Sequence, residues 1–485
     1  MQLTRRSLAV VLALAFALSS TLTASAVTIV KLSTDPYTNT SSSHQTEVEP
    51  DSFAWGSTVV MVTQAGRFFD GGSSNIGWAT STDAGATWTN GFLNGITVYA
   101  GGIYDRVSDP AVAYDAKHNV WLIISLPIDS SPSVRGAAAG VNRSTDGGLT
   151  WGNLVTVAIA SGSTFFDKTW GACDNNATSL FYGNCYVEWD NNSLGNQINM
   201  STSTDGGLTW GPVKKAGSGN TGLGGQMLSR PNGAVIVPID DASEANVMVF
   251  NSTNGGSTWS RTKKITNISV HGVAGSMRAP SLVTAEMDAS GKTYVAWHDC
   301  RFESGCSAND IVMTTSTTGS TWTAVTRIPL DGVGSGVDHF IAGLAVDRNT
   351  SGTSAHLAVT YYYYPVANCG SSCQLNVGYS ASTDGGTTWS APVTVAGPMQ
   401  TSWIVNTSQG RMVGDYVSTS YTANGLAHPA FSNANAPTGS TFDQALYSVV
   451  GGLTPRGGNA YRVANDPVLS TQSDYPASTT PATAN

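Results

Sequence analysis

Apolar and β-branched residues gather in short runs along this chain, among them Thr58 to Thr63, Val120 to Leu126, Ala234 to Ile239, Thr293 to Trp297 and His356 to Tyr364. Each run has the length of a strand and is bounded by Gly, Asn, Asp or Ser, which end extended chain because they supply tight turns. The pattern predicts an all-β protein of many short strands.

One motif recurs between the runs. Ser81-Thr82-Asp83-Ala84-Gly85-Ala86-Thr87-Trp88 returns as Ser144 to Trp151, Ser203 to Trp210, Ser252 to Trp259 and Ser382 to Trp389. A weaker copy runs from Thr315 to Trp322 with Thr317 in the Asp position, and a weaker one still ends Gly439-Ser440-Thr441-Phe442. An Asp followed by glycine makes a tight turn, because the carboxylate accepts local backbone N–H groups and Gly permits positive φ. The closing Trp is expected to anchor the turn between sheets. A repeat of this length holding about four strands is a propeller blade. We therefore expect a β-propeller of four-stranded antiparallel blades, with seven blades favoured over six. Val27 to Leu32 is a candidate extra strand for closing the ring against the last blade.

Composition agrees with this picture. Charged residues are only 11% of the chain while Gly numbers 53, which suits an extracellular β protein rich in turns. Arg5 and Arg6, an apolar run from Leu8 to Leu18 and the small residues Ala24-Ser25-Ala26 read as a secretory signal peptide. The expected organisation is a signal peptide over 1–26, the propeller over 27–463 and a flexible Ser/Thr/Pro-rich tail over 464–485. No segment approaches the ~20 apolar residues of a spanning helix. Loss of Arg5 and Arg6 moves the formal charge from −9 to −11, which argues against nucleic acid or an anionic membrane as partner. A secreted monomer is expected. The six cysteines suggest three local disulfides by proximity, Cys173 with Cys185, Cys300 with Cys306 and Cys369 with Cys373.

The repeat resembles that of the Asp-box, or BNR-repeat, proteins, whose best-known members are the sialidases, from about Glu47 to Phe442. The resemblance implies that each box is the turn between the third and fourth strands of a blade, on the face opposite the active site. The other face would then carry the segments that enter first strands, with Glu47, Glu49 and Asp51, Asp105, Arg106 and Asp109, Asp167 and Lys168, Gln226, Arg278, Asp338 and His339, and Arg411, Asp415 and Tyr416. It would also carry the second-to-third connections, with Arg67 and Asp70, Glu188, Trp189 and Asp190, Asp240 and Asp241, His298, Asp299 and Arg301, and Tyr361 to Tyr364. In a chain so poor in charge, this concentration marks one face as the candidate site.

The resemblance further implies an exo-glycosidase acting on acidic glycans. Sialidases grip a substrate carboxylate with three arginines, whose planar forks make bidentate contacts. Arg67, Arg278 and Arg411 are the candidate triad, with Arg106, Arg301 and Lys168 as further substrate-binding cations. A Tyr nucleophile supported by Glu and an Asp acid/base complete that chemistry. Tyr416 or the Tyr361 to Tyr364 run would supply the nucleophile, Glu188 its partner, and Asp51 or Asp109 the acid. Arg67, however, lies in Gly66-Arg67-Phe68-Phe69-Asp70 after a second strand, not in the Arg-Ile-Pro motif of those enzymes.

Two other readings use the same face. A polysaccharide lyase acting on a uronate-containing glycan would take His339 as base with Arg278, Arg411 and Tyr416, and a count of seven blades suits it. A non-catalytic glycan-binding or adhesion propeller would stack sugars on exposed Trp55, Trp170 and Trp189. No cofactor is expected. A structural calcium in the central channel on Asp51, Asp109 or Asp415 stays open, without an EF-hand-like signature.

Overall fold

The hydrophobic runs fold as the extended segments Thr58–Arg67, Val120–Asp129, Val235–Asp240, Thr293–Asp299 and Leu357–Tyr363. The computed structural model describes residues 27–217, 219–455 and 461–462, so the expected signal peptide and tail lie outside the described residues. Among the described residues the antiparallel pairings fall into seven consecutive groups of four strands, here called units one to seven. Unit one pairs Glu47–Trp55, Thr58–Arg67, Ser73–Ser81 and Thr89–Phe92 in order.

Unit seven closes differently. Ser418–Tyr421, Ala427–Thr438 and Thr441–Val449 are joined by Ile29–Lys31 from the other end of the chain, with Ile29 opposite Val449. Lys31 Nζ donates to Asp443 at 3.0 Å across this junction. The first strands, Glu47–Trp55, Arg106–Asp115, Phe166–Cys173, Leu228–Ser229, Thr284–Met287, His339–Val346 and Ser418–Tyr421, each touch the next, and the seventh returns to the first. They form a closed ring around a central channel. The apolar cores lie between neighbouring sheets. Val60, Val62 and Trp78 of unit one meet Val112, Tyr114 and Trp121 of unit two, and such burial of facing sheets is the main stabilising term of the fold.

The Asp boxes form third-to-fourth turns, as expected. In the second box Ser144 Oγ donates to Asp146 Oδ1 at 2.7 Å, and Asp146 accepts from Thr150 N at 3.0 Å and Thr150 Oγ1 at 2.6 Å. Asn254 holds the same place in the fourth copy, its Oδ1 accepting from Thr258 N at 3.0 Å. The two degenerate copies need correction. In the weaker one Thr318, not Thr317, takes the acceptor role, receiving Thr321 N at 3.1 Å. Gly439 to Phe442 is no box at all: it lies at the hairpin between the second and third strands of unit seven, where Thr438 pairs with Thr441. That unit has no third-to-fourth turn because its fourth strand comes from residues 29–31.

All three expected disulfides are formed, Cys173–Cys185, Cys300–Cys306 and Cys369–Cys373. Among the described residues no helix is long and apolar enough to cross a membrane.

Candidate functional site

At the entry of several first strands the ladder slips, between Val48 and Asp51, Ser108 and Ala111, Asp167 and Trp170, and Phe340 and Ala342. The extra residue of each bulge is left-handed, with φ of 56° at Glu49, 48° at Asp109, 49° at Lys168 and 50° at Ile341. That conformation costs an L-residue roughly 1–2 kcal/mol. Three of the four carry charge, and strain retained at charged bulges is a mark of functional sites. In unit seven Gly414 occupies this level with φ 153°, and a Cβ there would come within 2.9 Å of the Glu49 Cα. The bulges turn side chains that a regular strand would bury between sheets toward the channel axis.

A buried cluster of charge results. Arg278 Nε donates to Asp415 Oδ1 at 2.6 Å, and its NH2 and the Lys168 ammonium both reach Asp415 Oδ2. Burial works against the Asp415 carboxylate, but Arg278 and Lys168 hold it well below the usual range. Gln64 Nε2 donates to Glu49 and, at 3.0 Å, to Ser108 Oγ, whose own proton goes to Asp109 Oδ1 at 2.8 Å. Asp109 Oδ2 is buried without a partner. Burial, reinforced by the charges of Asp415 and Asp109, pushes Glu49 up to about 7. Asp167 rises to about 6, by burial and then Asp109, and Asp190 is raised by burial and Asp167. These carboxyls outnumber Arg67, Lys168 and Arg278, so part of the cluster keeps a proton at neutral pH. Protonated and ionised carboxyls side by side are what acid/base chemistry requires.

The expected arginine clamp is not open. Arg278 is taken by Asp415. Arg67 is 4% exposed, and its NH1 donates to Gln64 Oε1 at 3.1 Å and Gly72 O at 2.9 Å. Arg411 donates to Ile404 O at 3.1 Å, and its own carbonyl accepts Arg278 N at 2.8 Å. Arg106 pairs with Asp70 and stacks on Phe68 at 4.2 Å, while Arg301 pairs with Asp299 at 2.7 Å.

The nominated acids and nucleophiles also separate. Tyr416 sits beside the cluster, its hydroxyl donating to Pro110 O at 3.0 Å and its ring edge-on to Trp170 at 5.1 Å. Burial and then the charges of Glu49 and Asp109 raise it well above the ordinary phenol range, the opposite of an activated nucleophile. Glu188 is buried beside Gly225 and pushed to about 8 by burial; neither of its oxygens accepts a side-chain bond. Asp51 lies past the bulge inside the channel, where it accepts Val112 N at 2.8 Å and burial raises it to about 7. His339 stands apart, stacked on Tyr363 at 5.9 Å and next to Asp310 and Asp331. Tyr361, Tyr362 and Tyr364 are core residues, 2%, 0% and 1% exposed. Trp189, expected as an exposed sugar platform, is fully buried against Phe166 at 5.6 Å. Asp415, with both oxygens held by cations, is not arranged as a calcium ligand.

Sequence reasoning had placed Glu49, Asp167 and Asp190 on this face without giving them a role, and it passed over Gln64. The dipeptides Glu49-Pro50 and Asp109-Pro110 were a usable signal, since Pro cannot donate to a ladder and marks irregular strand positions. Below the cluster, toward the Asp-box turns, the channel widens to a cavity of about 490 Å³ lined by Asp51, Trp170, Glu286, Arg348, Tyr416 and Tyr421.

Residues 135–344 match the family model described as a BNR repeat-like domain. No curated protein matches the chain. Among solved structures, the Hadza microbial sialidase Hz136 is 18% identical, covering 65% of this chain and 63% of its own, with a TM-score of 0.45. Trypanosoma rangeli sialidase in complex with the inhibitor DANA is 13% identical, covering 83% of this chain and 54% of its own, with a TM-score of 0.45. The α-L-arabinofuranosidase Arb93A from Fusarium graminearum is 13% identical, covering 73% and 97%, with a TM-score of 0.44. The chain thus spans less than two thirds of either sialidase chain, and likeness at this level says nothing of what it acts on. Over residues 135–344, the turn geometry and the family match together establish the resemblance to the Asp-box, or BNR-repeat, propellers.

Proposed function

We propose that this protein is a secreted, carbohydrate-active hydrolase whose centre is the buried charge cluster on the face away from the Asp boxes. The observation that carries the reading is Asp109: strained into the left-handed region, with Oδ2 buried and unpartnered, and acting electrostatically on both Glu49 and Asp167. A carboxyl that keeps its proton near pH 7 serves as general acid to a leaving sugar oxygen, while an ionised neighbour serves as base or nucleophile. Glu49 is the candidate acid and Asp109 the candidate carboxylate. An acidic glycan would compete with Asp415 for Arg278 and Lys168, and the added negative charge would be offset by a proton held on a neighbouring carboxyl such as Glu49. Secretion is supported by the leader pattern of residues 1–26 and by the three disulfides, which persist in oxidising compartments.

The test is product release from a panel of neutral and acidic glycans by the parent and by Asp109→Asn. The variant is expected to keep its melting temperature and lose kcat by roughly 10²–10⁴-fold. Hydrolysis is told from elimination by the near-ultraviolet absorbance of an unsaturated uronate, which a lyase would leave. The pairing of all the nominated arginines with protein acceptors favours a second reading, a glycan-binding propeller. Retention of glycans by a parent that cleaves none of them would establish that reading and overturn the first.

A further inference from the structure

A second polar cluster lies between units five and six. Asp310 begins the strand Asp310–Ser316, His339 begins His339–Val346, and Asp331 lies in the connection between these units. One ligand atom from each of the three lies within 4.8 Å of the other two. For comparison, ligand atoms around a tetrahedral zinc ion stand about 3.4 Å apart, so the three groups would draw together by about 1 Å on binding. His339 is 3% exposed and its Nδ1 is buried without a hydrogen-bond partner; Asp310 is 2% exposed and its Oδ2 is likewise unpartnered. Unsatisfied buried polar atoms are costly and call for a missing partner.

The remaining oxygens are already spoken for in a way that prepares these free atoms. Arg327 Nε donates to Asp310 Oδ1 at 2.7 Å, and its NH2 to Asp331 Oδ1. Ser335 Oγ donates to Asp331 Oδ2. Outer partners of this kind fix the orientation of metal-binding carboxylates. Tyr363 stacks on the imidazole at an interplanar angle of 13° and fixes its plane. Glu303 comes from the Cys300–Cys306 loop; its Oε1 accepts Gly334 N at 2.9 Å, while Oε2 is buried and free. The Asp310 and Asp331 side chains share the single Arg327 guanidinium, so acidic groups outnumber cations at this point.

We infer that Asp310, Asp331 and His339, with Glu303 at the margin, form a site for one divalent metal ion that accepts a nitrogen ligand, of the zinc or manganese kind. The mixed donor set decides the class, because calcium and magnesium prefer shells made of oxygen alone. The Cys300–Cys306 disulfide constrains the loop that bears Glu303.

The full chain, stripped with a chelator, is titrated calorimetrically with zinc chloride and separately with manganese chloride, with calcium chloride as comparison and thermal unfolding followed in parallel. One zinc or manganese ion per chain is expected, with a raised melting temperature. His339→Phe keeps the ring stacked on Tyr363 but removes the ligand nitrogen, and should weaken binding roughly tenfold or more. Asp310→Asn should do the same, and His339→Phe keeps the test valid if loss of the Arg327 pair prevents the Asn variant from folding. No binding of either ion, binding undiminished in His339→Phe, or binding of calcium alone would each overturn the inference.

Discussion

The Asp-box turns and the central cluster are both built on carboxylates, but in opposite surroundings. In a box the carboxylate is exposed and its partners are two to four residues away, as Asp146 is to Ser144 and Thr150. The Thr87 hydroxyl and N–H lower Asp83 to about 2; at Asp146 burial is the largest single effect and opposes ionisation, but the hydrogen bonds from Thr150, Ser144 and Leu149 together outweigh it and bring the carboxyl to about 2 as well. In the cluster the partners come from different units, with Lys168 and Arg278 lying 247 and 137 positions from Asp415, and burial drives Glu49 and Asp167 upward. A turn made by neighbours in sequence serves the fold wherever it is repeated. A cluster made by remote residues, kept at a cost in strain and desolvation, points to chemistry.

Breaking the cluster should have the largest effect. Asp415→Asn removes the carboxylate that neutralises Arg278 and Lys168, whose side chains are 17% and 16% exposed. Losing the charge-assisted hydrogen bonds of Asp415 to both cations costs about 3–5 kcal/mol, measurable by denaturant unfolding. Within the boxes, Gly148→Ala forces a left-handed φ of 85° and sets a Cβ 2.8 Å from Val60 Cγ2. Its expected cost is about 1–3 kcal/mol by the same measurement. Asp146→Ala should give the smallest fall in melting temperature, since water replaces its partners.

The two classes of carboxyl also predict opposite pH limbs. The lowered box aspartates stabilise the fold above their unfolded value of about 4, and this is lost as pH falls through about 2. For Glu49, Asp51 and Glu188 the folded value is raised to about 7, 7 and 8. Their contribution is fully present below about 4 and is lost as pH rises through 7 to 8. Melting temperature against pH should therefore peak in the mildly acidic range. If Glu49 is the general acid, activity falls as pH rises through about 7. A stability profile flat between pH 5 and 9 would remove the distinction drawn between turn and cluster.

Box turns, strand runs and disulfides were legible in the sequence because each is made by residues close along the chain. Ser81, Asp83 and Thr87 close a turn within seven residues, and the three disulfides span 12, 6 and 4 positions. The closing strand at residues 29–31 was readable as a strand, but that it completes unit seven and leaves that unit without a box is a fact of ring closure. Which face carries charge could be inferred from the repeat. Which charges meet could not: the left-handed bulges at Glu49, Asp109 and Lys168 reset side-chain direction at single positions, and period-two alternation does not encode such a shift. Arg278 read as a free cation in the sequence because its acceptor, Asp415, is brought to it only across the channel. Local hydrogen bonding and alternation thus determined the turns, strands and staples, whereas packing seven sheets around one axis decided which carboxyls are buried together, and so which of them hold their protons.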